Sequence, residues 1–188
     1  MGKNNIFGFE FKDMFEEDAF IKKFKAFSDS LDLMILQNSE NPDKGALSEL
    51  LTRKGDFVRR NGGNEEACKL YQEALRNNPE NAGTYRGMGY ALFGLERFDK
   101  ALYYLNKSLE IEQNHADAWR NRGCTLRRLR RYREAISSFN RALALNSDCV
   151  LAAYGNLVSI FKSEGSYSAL KYLISERNFF RVCKDILA

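Results

Sequence analysis

Residues 82–115, AGTYRGMGYALFGLERFDKALYYLNKSLEIEQNH, and residues 116–149, ADAWRNRGCTLRRLRRYREAISSFNRALALNSDC, are two versions of one 34-residue unit. Sliding the chain on itself by that length also brings in an earlier copy, residues 48–81. Gly55, Gly89 and Gly123 then coincide, as do Ala67, Ala101 and Ala135. Leu75, Leu109 and Leu143 form a third column, and Val58, Leu92 and Leu126 a fourth. Larger residues align too: Leu51 with Tyr85 and Trp119, Tyr71 with Leu105 and Phe139, and Phe98 with Tyr132. Self-similarity at a fixed period of this size is the signature of a repeat architecture.

The columns describe a pair of helices. In each unit Leu/Tyr/Trp, Gly and the next aliphatic residue recur at i, i+4 and i+7, which is one face of a first helix. Ala, then Tyr, Leu or Phe, then Leu recur at i, i+4 and i+8 on a second. Gly and Ala occupy the places where helix backbones must approach closely. Asn61-Gly62-Gly63, Leu95-Glu96-Arg97 and Leu129-Arg130-Arg131 break the chain within units. Asn77-Asn78-Pro79-Glu80-Asn81 and Glu112-Gln113-Asn114 break it between them.

These residues resemble the tetratricopeptide-repeat family, whose 34-residue unit carries a W-x-x-L-G-x-x-Y…A…F…P pattern. Unit two reads Tyr85-x-x-Met88-Gly89-x-x-Leu92 with Phe98, Ala101 and Leu105; unit three reads Trp119-x-x-Arg122-Gly123-x-x-Leu126 with Tyr132, Ala135 and Phe139. The terminal Pro survives only as Pro79, with Gln113 and Ser147 in its later places. Lys54 and Arg122 stand where the pattern has Leu, and softer packing is expected there. The resemblance implies an all-α superhelical solenoid of helix-turn-helix repeats, with an extra N-terminal helix and a C-terminal capping helix.

A fourth, worn unit is expected at 150–177, where Ala153, Ile160, Ala169 and Leu173 continue the columns and Leu157 takes the glycine place. Residues 178–188 read as a last amphipathic capping helix, because terminal repeats meet water on one side. The repeat domain is thus 46–188. Ahead of it, 1–45 forms a separate segment ended by Asn41-Pro42-Asp43-Lys44-Gly45. Phe20, Phe24, Phe27, Leu31 and Met34 make a helical apolar stripe there, expected to be buried on unit one or on a second copy. Before the stripe, Phe7, Phe9, Phe11 and Phe15 interleave with Glu10, Asp13, Glu16 and Glu17, an arm suited to a basic groove.

Composition narrows the function. The hydrophobic share of 44% and charged share of 29% are those of a soluble globular chain. The longest run of strong hydrophobes, Leu33 to Leu36, falls far short of the roughly 20 residues that span a bilayer. Acids at 10, 13, 16, 17 and 18 do not suit a secretory leader, and Ile6 stands where a myristoylation signal needs Ser or Thr. A cytoplasmic protein is expected. Cys68, Cys124, Cys149 and Cys183 are scattered, without the clustering zinc requires, and read as reduced thiols. His115 is the single histidine, with no nucleophile motif near it and no phosphate-cradling glycine loop in the chain. No catalysis, metal or cofactor is expected.

The resemblance implies that first helices line a concave groove holding another protein's segment. Residues off the packing columns are the candidates: Arg53, Asp56, Arg59 and Arg60 in unit one; Arg86, Tyr90 and Phe93 in unit two; Asn121, Cys124, Arg127 and Arg128 in unit three; Tyr154, Phe161 and Lys162 in unit four. Arginine forks suit carboxylates and exposed rings anchor interfaces. The expected partner is therefore a segment with acids and bulky apolar residues. Some relatives grip a terminal carboxylate with a Lys/Asn/Asn/Lys/Arg clamp. Here one frame offers Thr52, Asp56, Gly87, Asp117 and Asn121, the next Arg86, Tyr90, Asn121, Leu151 and Gly155, and neither rebuilds it. Two other classes stay open: a scaffold that assembles with itself through the N-terminal arm, and a nucleic-acid binder using Arg127, Arg128, Arg130, Arg131 and Arg133. The modest net charge of +4 disfavours the second.

Overall fold

Tyr71, Leu105 and Phe139 are wholly buried and mark the middle of three successive layers. The computed structural model describes residues 25–26, 29–37 and 43–174, and all regular structure among them is helical. After α1 (29–37) come four antiparallel pairs: α2 (Lys44–Arg60) with α3 (Asn64–Asn77), α4 (Ala82–Gly94) with α5 (Phe98–Ile111), α6 (Ala116–Arg128) with α7 (Tyr132–Leu145), and α8 (Val150–Glu164) with α9 (Ser166–Ile174). The arm at 1–24, the stripe's Phe20, Phe24 and Phe27, the capping segment 178–188 and the side chain of Leu173 lie outside the described residues.

The helices α2, α4 and α6 end in the same way. Gly63, Arg97 and Arg131 donate backbone N–H bonds to Val58, Leu92 and Leu126 carbonyls at 3.0, 2.9 and 2.9 Å. Gly62, Glu96 and Arg130, one residue earlier, hold φ of 89°, 57° and 60°. This is the Schellman stop, which satisfies the last carbonyls through a left-handed residue. The helix starts differ. Asp43 accepts from Gly45 N–H at 2.9 Å and Asn81 from Thr84 N–H at 3.1 Å, while His115 faces Ala118 N–H at 3.4 Å through Nδ1. The lone histidine is thus a helix cap. Lys44 and Gly45, read from sequence as part of a break, form the first turn of α2 because Asp43 caps them.

Small residues set how closely the layers approach. A Cβ on Gly55 would lie 2.7 Å from the Tyr71 ring, one on Gly89 2.6 Å from Leu105 Cγ, and one on Gly123 2.8 Å from the Phe139 ring. Gly87 and Gly155, in the following first helices, press on the other sides of Tyr71 and Phe139 at 2.6 and 2.5 Å. Each large ring is clamped between two glycines of successive units. At the equivalent place in the middle layer a smaller Leu105 goes with Asn121 rather than glycine. Ala74, Ser108 and Ala142 form a further buried small-residue column that the alignment had not singled out.

The second helices α3, α5 and α7 each pack on their own first helix and on the next one, and α9 packs on α8. First helices also touch first helices, α2 with α4, α4 with α6 and α6 with α8, whereas among the described residues no second helix touches another. A stack in contact on one side and splayed on the other curves with its first helices inward. Buried polar links stitch it: Thr52 Oγ1 and Thr84 Oγ1 lie 2.6 Å apart, and Ser108 Oγ donates to the Ala82 carbonyl at 2.9 Å.

The two departures from the family pattern do not loosen the stack as expected. Lys54 forms an ion pair with Asp32 of α1, and Leu31 beside it is buried. Arg122 donates to Asn106 Oδ1 at 2.7 Å and Ser138 Oγ at 2.6 Å, tying α5 to α7. Within the stripe, Met34 is 48% exposed, because α1 turns Leu31 rather than Met34 inward. No helix among the described residues is long and apolar enough to cross a membrane.

Candidate partner-binding wall

The inner wall is built from the residues of α2, α4, α6 and α8 that point away from the second helices. Its α2 section is basic but partly neutralised. Arg53 pairs with Glu49 at 3.1 Å on the same helix. Arg59 lies 3.7 Å from Asp56 and 5.4 Å over the Tyr90 ring, reaching from α2 to α4. Asp56 also accepts the Tyr71 hydroxyl at 2.7 Å, which anchors it to the core rather than to a ligand. Arg60 is exposed in the last turn and has no ion pair among the described residues.

On α4 the aromatic residues are not the exposed rings that the sequence suggested. Tyr90 is mostly buried between Arg59 and the α6 residues Asn121 and Arg120; that burial pushes its phenol up to about 12. Phe93 is half-buried, edge-on to Phe98 at 5.5 Å, and packs on the cluster around Tyr71 and Met88. Both rings close the gap between neighbouring helices, so their apolar surface is already used. Arg86 lies 3.6 Å from Glu112.

On α6, the Asn121 side chain donates to the Asp117 carbonyl at 2.9 Å. Arg127 is half-buried beside Cys124, whose thiol is pushed up chiefly by burial. Arg128 is exposed, bonds Glu96 at 2.9 Å and lies 4.6 Å over the Phe98 ring. Arg120 belongs with this group and was missed. It stands 34 residues after Arg86, so the repeat itself marked it, and it meets Asp117 at 3.1 Å. Of the arginines considered for nucleic acid, Arg131 is locked to Glu134 at 2.7 and 2.8 Å, and Arg128 to Glu96.

The α8 section is apolar. Leu151, Tyr154 and Phe161 are 64%, 52% and 49% exposed. With half-buried Val158 they recur at steps of three, four and three residues, a single stripe. Lys162 is exposed at its end. Leu151, not among the groove candidates, sits in the first turn of α8 ahead of the periodic columns. The wall thus grades from cations on α2 and α6, most of them paired, to open apolar surface on α8. Two clefts, each of about 460 Å³, lie elsewhere: one among α3, α4 and α5 around Cys68 and Tyr103, the other around Asn106, Trp119 and Arg122.

Comparison with known proteins agrees with this architecture. A tetratricopeptide-repeat family model matches residues 80–148. The chain is 33% identical over 100 residues to the human protein O-mannosyl-transferase TMTC3; the match covers 53% of this chain and 11% of that protein. Among solved structures, MamA superposes with a TM-score of 0.73 at 15% identity, covering 91% of this chain and 89% of its own. YrrB, described as a tetratricopeptide-repeat protein with an unusual peptide-binding site, superposes with a TM-score of 0.70 at 21% identity, covering 90% and 83%.

Proposed function

Residues 80–148 match the tetratricopeptide-repeat family, and from that premise we propose that the inner wall holds a partner polypeptide carrying both acids and bulky apolar side chains. The observation that carries this reading is the open stripe of Leu151, Tyr154 and Phe161 alongside the arginine-bearing α6. Contiguous exposed apolar surface on a folded chain is a contact surface. The neighbouring guanidinium groups supply planar forks for carboxylates. The peptide-binding site of the structural neighbour YrrB supports the same use of the fold.

Two full-length variants test it: Arg86→Glu with Arg127→Glu, and Tyr154→Ala with Phe161→Ala. Proteins that co-purify with the parent are expected to be lost from both, with helical circular dichroism unchanged. Undiminished recovery from both variants would place the contact on another surface.

A self-assembling scaffold is the second reading. It rests on α1, where Leu33, Met34 and Leu36 are 60%, 48% and 62% exposed. Light scattering on Leu33→Asp/Leu36→Asp tests it, with a fall in mass per particle as the supporting outcome. An unchanged mass removes α1 from any assembly.

A further inference from the structure

We infer that residues 7–18 of this same chain fold back onto the basic edge of the inner wall and occupy it when no partner is bound. The inference rests on the reading of that wall as a binding surface and names its resident ligand.

The first observation is where the cations lie. Arg59 and Arg60 stand in the last turn of α2, Arg127 and Arg128 in the last turn of α6, and Lys162 in the last turn of α8. First helices run side by side, so these turns line one edge of the wall. Arg59 and Arg128 are paired with Asp56 and Glu96, but among the described residues Arg60, Arg127 and Lys162 have no carboxylate partner. The free carbonyls of three helix ends carry partial negative charge, so attraction of acids to this edge depends on these side chains outweighing them.

The second observation is where the chain enters. Asp32 meets Lys54 across the short connection from 37 to 44, which sets α1 antiparallel to α2. The upstream end of α1, at residue 29, therefore lies toward the last turn of α2, which carries Arg59 and Arg60. Residue 18 is eleven residues further upstream, a reach of about 38 Å when extended. Neighbouring helix axes are about 8–10 Å apart. The span from α2 across α4 to Arg127 on α6 is thus within reach of the same chain.

The third is chemical match. Residues 10–18 hold five acids and one lysine, and Phe7, Phe9, Phe11 and Phe15 are interleaved with them. That is the acidic, apolar composition the wall is argued to take, tethered at high effective concentration.

The probe is a fluorescein-labelled peptide of residues 5–20, added to the full-length chain and read by anisotropy. It should bind the parent weakly. A full-length Glu10→Lys/Glu16→Lys/Glu17→Lys chain, whose own arm no longer competes, should bind it at least tenfold more tightly. Adding Arg60→Glu and Lys162→Glu to that chain should abolish the gain, and all three chains should have monomer mass. Equal affinity for parent and arm-reversed chains would overturn the inference, as would no binding to the arm-reversed chain. A dimer that falls to monomer on arm reversal would assign the occupant to a second copy and overturn it too. If the inference is overturned while co-purifying partners are still lost from the Arg86→Glu/Arg127→Glu and Tyr154→Ala/Phe161→Ala chains, the wall stands as a partner site without a resident arm.

Discussion

Arg122 Nε donates to Asn106 Oδ1 at 2.7 Å across the boundary between the second and third helix pairs. Its NH1 reaches Ser138 Oγ at 2.6 Å, and its guanidinium lies 5.7 Å from the Trp119 ring centre. Hydrogen bonds to charged groups contribute about 1.5–3 kcal/mol. Arg122→Ala should therefore lower stability by about 1–3 kcal/mol in urea unfolding, discounted because the side chain is only partly buried. Arg122→Leu, the family's own choice, should lose less because it restores apolar packing. A Ser138→Ala double variant should be non-additive with Arg122→Ala.

The glycine clamp makes a sharper test of packing. A Cβ on Gly87 would stand 2.6 Å from Tyr71 Cε1 and Cζ. Gly87→Ala should destabilise by about 1–3 kcal/mol through overpacking, against a helix-propensity gain of up to about 1 kcal/mol. Tyr71→Leu added to Gly87→Ala should recover part of the loss, since the chain already pairs Leu105 with Asn121 one unit later. Thermal melts of the two variants decide it; a double variant no more stable than Gly87→Ala would refute the clamp.

Arg130 holds φ of 60° at the Schellman position that glycine fills as Gly62. A left-handed backbone costs a residue with a Cβ about 1–2 kcal/mol, partly offset by the extra freedom of glycine in the unfolded chain. Arg130→Gly should raise stability by about 0.5–1 kcal/mol. The equivalent Glu96→Gly should gain less, because Glu96 bonds Arg128 at 2.9 Å.

Tyr90 titrates near 12, above the ordinary phenol. In the unfolded chain that proton leaves first, so between the two values the folded state binds more protons and stability falls as pH rises. Urea midpoints should drop between about pH 10 and about pH 12, with Tyr90→Phe reducing the drop. Absorbance of tyrosinate should likewise rise later in the folded chain than in urea. Coincident titrations would contradict the burial of Tyr90.

The repeat was legible because its columns are short-range and periodic. Gly55, Gly89 and Gly123 announced the close approach of helices within each pair, and the breaks within and between units 48–149 fell where the aligned columns placed them. Gly87 and Gly155 were not legible as packing residues. They matter only because the next unit presses on Tyr71 and Phe139, a contact between units that no spacing within one unit encodes. Glu96 and Arg130 gave no glycine signal, although the backbone there needs the same left-handed turn.

The candidate wall was legible as a set of positions and not as a surface. Periodicity placed Tyr90, Phe93, Tyr154 and Phe161 alike, off the packing columns. Only the tertiary structure separated them. α4 has neighbours on both sides, so Tyr90 and Phe93 fill the seams against α2 and α5, while α8 leaves Tyr154 and Phe161 uncovered. By itself the amino-acid order determined the helices, their pairing and which faces meet, because those follow from a 3.6-residue period and from side-chain size. Which cations stay free and which rings stay open was decided by the stacking of units, since exposure and charge pairing depend on neighbours distant along the chain.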